Sequence, residues 1–302
     1  MKLERQAQML ADRARKSLRK LHPRFQQRGV GAFRLYDRDI PEIRAVVDWY
    51  EGHLVIAEYE RTQTQGLPWL TTMAEAVAGA LSVPMERVHL KRRRTGKKYA
   101  RLSRKNERII VRENDLRYLV NLDDYIDTGL FADHRETRAR VRAEARNAKF
   151  LNLFAYTGSF TCAAAAGGAR RTVTVDTSEA YLGWARENLE LNGLASERHE
   201  LVRGDARDFL ARAGRRFSLC VLDPPSFSTR AGAPPFDVQR DHRKLIESAL
   251  AVLLPGGVLY FSTNHQRFEP RLDGLRATEI TGETAPPDYR RTPHRSFRMV
   301  NA

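Results

Sequence analysis

A doubly wound, mostly parallel α/β sheet behind a small N-terminal α+β module is the fold that this sequence predicts. Three observations carry the prediction. The chain has 302 residues with 42% apolar content, enough for two cores. Up to residue 135 short apolar runs pair as hairpins across tight turns, whereas from about residue 136 strands alternate with helices, the pattern of a parallel sheet. The fourth of those later strands ends in Leu222-Asp223-Pro224-Pro225, and proline, lacking a backbone N–H, stops a sheet ladder. The two modules are therefore read as residues 1–135 and 136–302.

Taken in order, the first 22 residues or so have helical composition, with an end expected near Pro23. The segments 45–50 and 53–59, joined by Glu51-Gly52, read as a hairpin of β-branched and aromatic residues. Pro68 opens a helix in which Leu70, Met73, Val77 and Leu81 share a face. A strand around 86–90 precedes a basic stretch, and RIIVREND with LRYLVNLD forms a second hairpin turning at Asn114-Asp115. In the second module the helix TRARVRAEARN leads into a strand at 149–155, a small-residue turn and the helix SFTCAAAAGG. Strands at 171–176, 199–205 and 217–223 come next, separated by the helices SEAYLGWARENLELNG and ARDFLARAG. Then come a long loop, the helix DVQRDHRKLIESALAVLL, a Pro255-Gly256-Gly257 turn and a strand at 258–264. ATEIT and SFRMV add a last pair of strands, where the parallel alternation breaks down.

Charge narrows the class of partner. Lys and Arg total 52 against 37 Asp and Glu, a net +15, which favours a polyanion. The excess is concentrated in Lys91, Arg92, Arg93, Arg94, Lys97 and Lys98, and in Arg13, Arg15, Lys16, Arg19, Lys20, Arg24 and Arg28 near the start. So dense a run is expected to track phosphates. No apolar run approaches the roughly 18 residues of a membrane span, and the first 20 residues lack the apolar stretch of a signal peptide, so a cytoplasmic location is expected. Cys162 and Cys220 are the only cysteines, too few for a disulfide framework or a cysteine-rich zinc site, and both read as core thiols.

Acids at the strand ends point to a ligand. Asp176 ends the second strand of the later module, Asp205 the third and Asp223 the fourth, so all three should meet on the C-terminal rim where open α/β sheets bind ligands. Asp is also a common helix N-cap, and each acid taken alone fits that role equally. The turn after the first strand carries the single Gly158 rather than the three spaced glycines that cradle a pyrophosphate, which disfavours a dinucleotide dehydrogenase. A nucleoside cofactor without a pyrophosphate suits the set, and S-adenosylmethionine (SAM) is the expectation. Its ribose would meet Asp176, its adenine amino group Asp205, and its methionine end the run from Phe154 to Gly158.

Asn152 to Gly158, Asp176, Gly204-Asp205 and LDPPSFS resemble the motifs of class I methyltransferases, whose fold is the Rossmann-like doubly wound sheet. DTGLFADHR (127–135), NLFAYTGS (152–159), TVDTSEAYLGWARENLELNGL and FDVQRDH (236–242) are similar to the C-terminal half of the RlmKL-type 23S rRNA guanine methyltransferases. The likeness extends over nearly the whole chain, with RLYDRDIPE (34–42) matching that family's short N-terminal module. It implies methylation of guanine N7 in 23S rRNA or a large-subunit precursor. The family's THUMP domain and N2-guanine half have no counterpart here, so docking is expected from the chain's own basic surface or a separate partner protein.

The resemblance also assigns residues. The expected cofactor set is Asp133, Arg135, Asn152, Phe154, Tyr156, Thr157, Gly158, Asp176, Thr177, Asp205, Ala206 and Asp223, with Asp133 and Arg135 in a lid over the methionine end. Asp223, Pro224, Pro225 and Phe227 are expected at the target base, Asp223 acting by position and charge. Phe227 reads equally as a base-stacking ring or as a core aromatic, and Ser226 as a cap of the turn. His134 has no second metal ligand at useful spacing and reads as a satisfied structural histidine, so no metal is expected. Arg240 and Asp241 either meet substrate or pair with each other. Methylation of an exocyclic amine (N2-guanine or N6-adenine) and a non-catalytic RNA-binding role in ribosome assembly stand as alternatives. Cytosine C5 chemistry needs a cysteine nucleophile that the chain does not offer near the rim.

Overall fold

The computed structural model describes residues 2–93, 102–214, 216–230 and 233–302. The chain forms two compact units: Met1–Ala132 with Pro287–Arg291, and Asp133–Pro286 with Thr292–Ala302. Among the described residues no helix is long and apolar enough to cross a membrane.

The first unit opens with helix α1 (Lys2–Gln27). Ala7, Leu10, Ala14 and Phe25 recur at helical spacing and are buried, so one stripe faces the core while Lys16, Arg19, Lys20 and Arg24 lie toward the outer side. The helix continues through Pro23, where the sequence predicts an end. Proline removes one ladder bond, but the Phe25 ring gains burial against Phe33, centroids 4.9 Å apart, and the helix closes only at Gly29, whose φ is +67°. Strands β1 (Ala32–Asp37), β2 (Ala45–Tyr50) and β3 (His53–Tyr59) form an antiparallel meander. Helix α2 (Trp69–Leu81) then crosses over to β4 (Val88–Arg93), which pairs parallel to β3. β5 (Ile109–Glu113) and β6 (Leu116–Val120) form the second hairpin, with Asn114 at φ +57°. Residues 287–291 return to this unit, where Asp288 accepts from the Arg34 backbone N–H at 2.9 Å and the Arg34 guanidinium lies 4.4 Å from the Tyr289 ring centre.

The second unit begins with α3 (Arg135–Glu144), β7 (Lys149–Leu153), α4 (Ser159–Ala166), β8 (Arg171–Asp176) and α5 (Glu179–Leu191). It continues with β9 (His199–Arg203), α6 (Ala206–Arg212), β10 (Phe217–Leu222), β11 (Phe227–Arg230), β12 (Ala233–Asp237) and α7 (Val238–Ala251). It ends with β13 (Leu253–Thr263), β14 (Ala277–Glu279), α8 (Thr281–Thr284) and β15 (Arg295–Val300). The sheet order is β14-β15-β13-β10-β7-β8-β9. The five strands from β13 to β9 are parallel, and β15 runs antiparallel to β13.

Two local differences from the sequence reading have clear causes. The expected loop after Pro225 contains the β11–β12 hairpin, in which Phe227 pairs with Asp237 and Ser228 with Phe236. β13 starts at Leu253 rather than 258, because Leu253 pairs with Phe217 before Leu254 to Gly257 bulge out and pairing resumes at Val258. The core strands are buried on both faces: Leu151, Leu153, Val173, Val175, Cys220 and Leu222 on one, and Phe150, Leu219 and Val221 on the other, are at most 4% exposed. Chain order reverses between β7 and β10, since β8 and β9 lie on one side and β13 on the other. That switch point opens the sheet's crevice at the C-terminal strand ends.

Candidate active site

The rim over the switch point is built by the residues just beyond each strand. After β7, Phe154 (φ +55°), Tyr156 (φ +51°) and Gly158 (φ +74°) are all left-handed, a backbone normally costly for side chains other than glycine. The loop is held at that cost by its hydrogen bonds. The Ala155 N–H donates to the Val175 carbonyl (3.1 Å), the Tyr156 N–H to Asp176 Oδ2 (2.9 Å), and Asn188 Nδ2 to the Thr157 carbonyl (3.0 Å). The Tyr156 ring packs edge-on against Tyr181, 4.6 Å between centroids. Gly158 is required by packing: a Cβ there would lie 2.6 Å from the Ala185 Cβ of α5.

Asp176 stands at the end of β8 with Thr177 exposed beside it. Its two oxygens accept backbone N–H groups, Oδ2 from Tyr156 and Oδ1 from Ser178 at 2.9 Å. Burial pushes its carboxyl up from the usual range, against the pull of those backbone bonds. With the Thr177 N–H also facing the carboxylate, the two oxygens still have acceptor capacity to offer a hydroxyl. Asp205 caps α6 through the Arg207 N–H (2.8 Å) and is gripped by the Arg207 guanidinium, Nη2 to Oδ2 at 3.0 Å, with Ala206 buried beside it. The carboxylate is on the rim as expected, but its oxygens are drawn toward its own helix.

Two expected cofactor residues turn inward. Asn152 is 1% exposed and donates to Thr161 Oγ1 (3.0 Å), which bonds Thr174 Oγ1 (2.7 Å). It ties β7, α4 and β8 together, a polar string the core must satisfy. Arg135 is fully buried in α3, its Nε 3.6 Å from Glu136.

On the other side of the switch point the site is made of side chains. Asp223 Oδ1 accepts from the Ser262 hydroxyl of β13 at 2.6 Å, and Oδ2 lies 3.5 Å from His134 Nε2. The His134 ring stacks on His294, centroids 4.0 Å apart, and His294 Nδ1 meets Asp133 Oδ2 at 3.1 Å. Sequence spacing offers His134 no second ligand, yet the fold brings Asp133, His134 and His294 donor atoms within 4.8 Å of one another. His294 lies 161 residues beyond Asp133, which is why the cluster is invisible along the chain. Nor is His134 satisfied: among the described residues its buried Nδ1 has no hydrogen-bond partner, and neither has His294 Nε2. Burial, and next the neighbouring His294, push His134 down to about 4, so it is neutral at physiological pH.

Beyond Asp223 the proline turn sets the outer wall of the site. Pro224 is buried and Pro225 half-buried, while Phe227 is 53% exposed, which resolves its two readings in favour of an outward ring. Ser226 does more than cap the turn, since its hydroxyl donates to Asn264 Oδ1 at 2.6 Å. Arg240 pairs with Asp241 at 2.7 Å, and Asp237 caps α7 through the Arg240 N–H, so the two charges close the helix start. Both cysteines are buried, and burial raises Cys162 to about 12 and lifts Cys220 well above the usual thiol range.

The basic run divides. Lys91 is 2% exposed and its Nζ donates to the carbonyls of Tyr125 (2.6 Å) and Ile126 (3.1 Å), so it is a buried structural lysine, lowered to about 8 by desolvation. The reading of Lys91 as a surface phosphate contact is corrected: its position in β4 points into the unit's core. Arg92, half-exposed, lies 3.7 Å from Glu58, and Arg93 4.0 Å from Asp127. Arg94, Lys97 and Lys98 lie outside the described residues.

Fold and rim together define a class I SAM-dependent methyltransferase. A family model described as S-adenosylmethionine-dependent methyltransferase matches residues 32–286. Ribosomal RNA large subunit methyltransferase K/L of Pseudomonas aeruginosa is 44% identical over 99% of this chain, which spans 43% of that relative's length. Ribosomal RNA large subunit methyltransferase K of Neisseria meningitidis is 41% identical over 93% of this chain and 83% of its own. Among solved structures, a SAM-dependent methyltransferase from Streptococcus mutans superposes with a TM-score of 0.76 at 22% identity (97% of this chain, 81% of that one). A methyltransferase complexed with S-adenosylhomocysteine does so at 0.75 and 21% (97% and 80%); both show the fold. The chain belongs to this SAM-dependent methyltransferase family and, through the Neisseria relative that it covers over 83% of its length, to the ribosomal RNA large subunit methyltransferase K group.

Proposed function

We propose that this protein transfers a methyl group from SAM to N7 of a guanine in large-subunit rRNA. The observation that carries the reading is the charge of the base side of the rim. Asp223 stands there beside a hydroxyl and an imidazole kept neutral by burial. Guanine N7 has a lone pair and no proton, so the new N–C bond forms as the C–S pair returns to sulfur and no base is needed. The purine becomes cationic, and a carboxylate without a competing imidazolium stabilises that charge, an effect of about 2.7–4 kcal/mol for comparable preorganised groups. Alignment of the reactants supplies a further share, about 7–11 kcal/mol at best.

Each side of the rim has a part. SAM, when bound, supplies an electrophilic methyl group. Asp176 fits its ribose hydroxyls, the strained run from Phe154 to Gly158 its methionine end, and Asp205 its adenine once Arg207, 34% exposed on its side chain, swings aside. Guanine N7 lies in the deep groove of A-form RNA, so the target base must be unpaired or turned out. Phe227 is exposed to stack on it, a contact of roughly 1–3 kcal/mol. The stripe Lys16, Lys20 and Arg24 on α1 supports RNA contact through phosphates. Two inert buried thiols weigh against C5 chemistry on cytosine.

The test is transfer in vitro. Purified protein is incubated with labelled SAM and large-subunit rRNA from a strain lacking the gene, and the nucleosides are separated by mass spectrometry. The expected product is 7-methylguanosine. An N2-methylguanosine or N6-methyladenosine product would move the reading to the exocyclic amines, and SAM binding without transfer would favour a non-catalytic role.

A further inference from the structure

Asn264 has no part in the site as read from sequence, yet the fold ties it to the turn that follows Asp223. It lies just past the last residue of β13, exposed on the same C-terminal rim. Leu222 of β10 pairs with Phe261, the Ser262 hydroxyl reaches Asp223, and Asn264 lies two residues further along, roughly 6–7 Å beyond Ser262 on the same side of the pleat. Its amide is tied to the proline turn, because Ser226, placed between Asp223 and Phe227, donates its hydroxyl to Asn264 Oδ1 at 2.6 Å. With that oxygen engaged, the amide keeps its two N–H donors for another partner, and Ser226 ties it to the turn that carries Asp223 and Phe227.

From this arrangement we infer that Asn264 is the residue that selects guanine, donating to its O6. The inference rests on the N7-guanine reading above and deepens it. Guanine N7 must keep its lone pair for the methyl group, so the neighbouring O6 is the acceptor left for recognition on that edge. Adenine carries an amino donor at the same place, and two facing donors exclude it. Ser226 is a positioning residue that fixes which face of the amide looks outward, and the Pro224-Pro225 turn holds Ser226 in reach.

The experiment compares wild type, Asn264→Ala and Asn264→Asp on an rRNA fragment containing the mapped target, bearing either guanine or 2-aminopurine, which keeps N7 but lacks O6. SAM affinity, measured by calorimetry, should be the same in all three proteins and serves as the control for folding. Loss of the amide or loss of O6 should each lower kcat/KM roughly 10- to 100-fold, and the two losses together should be little worse than one. Asn264→Asp should fall below Asn264→Ala, since a carboxylate faces an acceptor. Full activity of Asn264→Ala on guanine, multiplying losses, or a gain of adenine methylation by Asn264→Ala with guanine untouched would overturn the inference alone. A wild-type product other than 7-methylguanosine overturns the underlying reading, and this inference with it.

Discussion

Asp176 and Asp223 end strands of one sheet, two places apart, yet the first is held by backbone and the second by side chains. Asp176 takes N–H groups from Tyr156 and Ser178, both within about 20 residues of it, so its geometry is set wherever β7 and β8 form. Asp223 depends on Ser262 and His134, and through His134 on His294 and Asp133, which come from separate stretches of chain. The difference separates two tasks. On the proposed function, backbone bonds fix the carboxylate assigned to the constant cofactor, whereas side chains tune the carboxylate assigned to a particular base, and side chains can be exchanged without refolding the sheet.

Substitutions should split along that line. The largest effect is expected for Asp223→Ala, a fall of about 100- to 1000-fold in single-turnover methyl transfer with SAM affinity kept, measured by rapid quench and calorimetry. A matching loss of SAM affinity would erase the division. Asp176→Ala should do the reverse, weakening SAM binding about 10- to 100-fold by calorimetry, since a part-buried carboxylate paired with several N–H groups is removed. Ser262→Ala removes one short bond to Asp223 and should slow transfer about tenfold, leaving SAM affinity alone; an unchanged rate would mean that the hydroxyl does not orient the acid.

A last effect, comparable in size to that of Ser262→Ala, is on stability with pH. His134 is lowered to about 4 in the folded chain and ionises near 6.5 when unfolded. Between those values the unfolded chain binds more protons, so the stability tied to neutral His134 is complete above pH 6.5 and is lost as pH falls toward 4. The loss at pH 5 relative to pH 7 is on the order of 1–2 kcal/mol. Urea midpoints of wild type and His134→Asn at the two values measure it, and an equally steep decline in the variant would place the titration elsewhere.

The same contrast explains how much is legible in the chain. The alternation of β-branched runs with helical ones lays out β7 to β10, and the acids at the strand ends mark the rim, because both signals are local. Local signals also mislead. Pro23 signals a helix end but cannot weigh the burial of Phe25, and the basic run around Lys91 shows charge but not that this lysine points into the core and bonds two carbonyls. Asn152 reads as rim and is core, since alternation along β7 does not reveal that Thr161 waits for its amide. Nothing at His134, Ser262 or Asn264 announces a site, because their partners arrive only when β10, β13 and the segment before β15 come together.

The most direct measurement is nucleoside mass spectrometry of large-subunit rRNA from a strain lacking this gene, complemented with wild type or with Asp223→Ala. 7-Methylguanosine should disappear with the gene, return with wild type and stay absent with Asp223→Ala even though that protein accumulates and binds SAM. Unchanged 7-methylguanosine in the deletion strain, or its full return with Asp223→Ala, would contradict the proposed function.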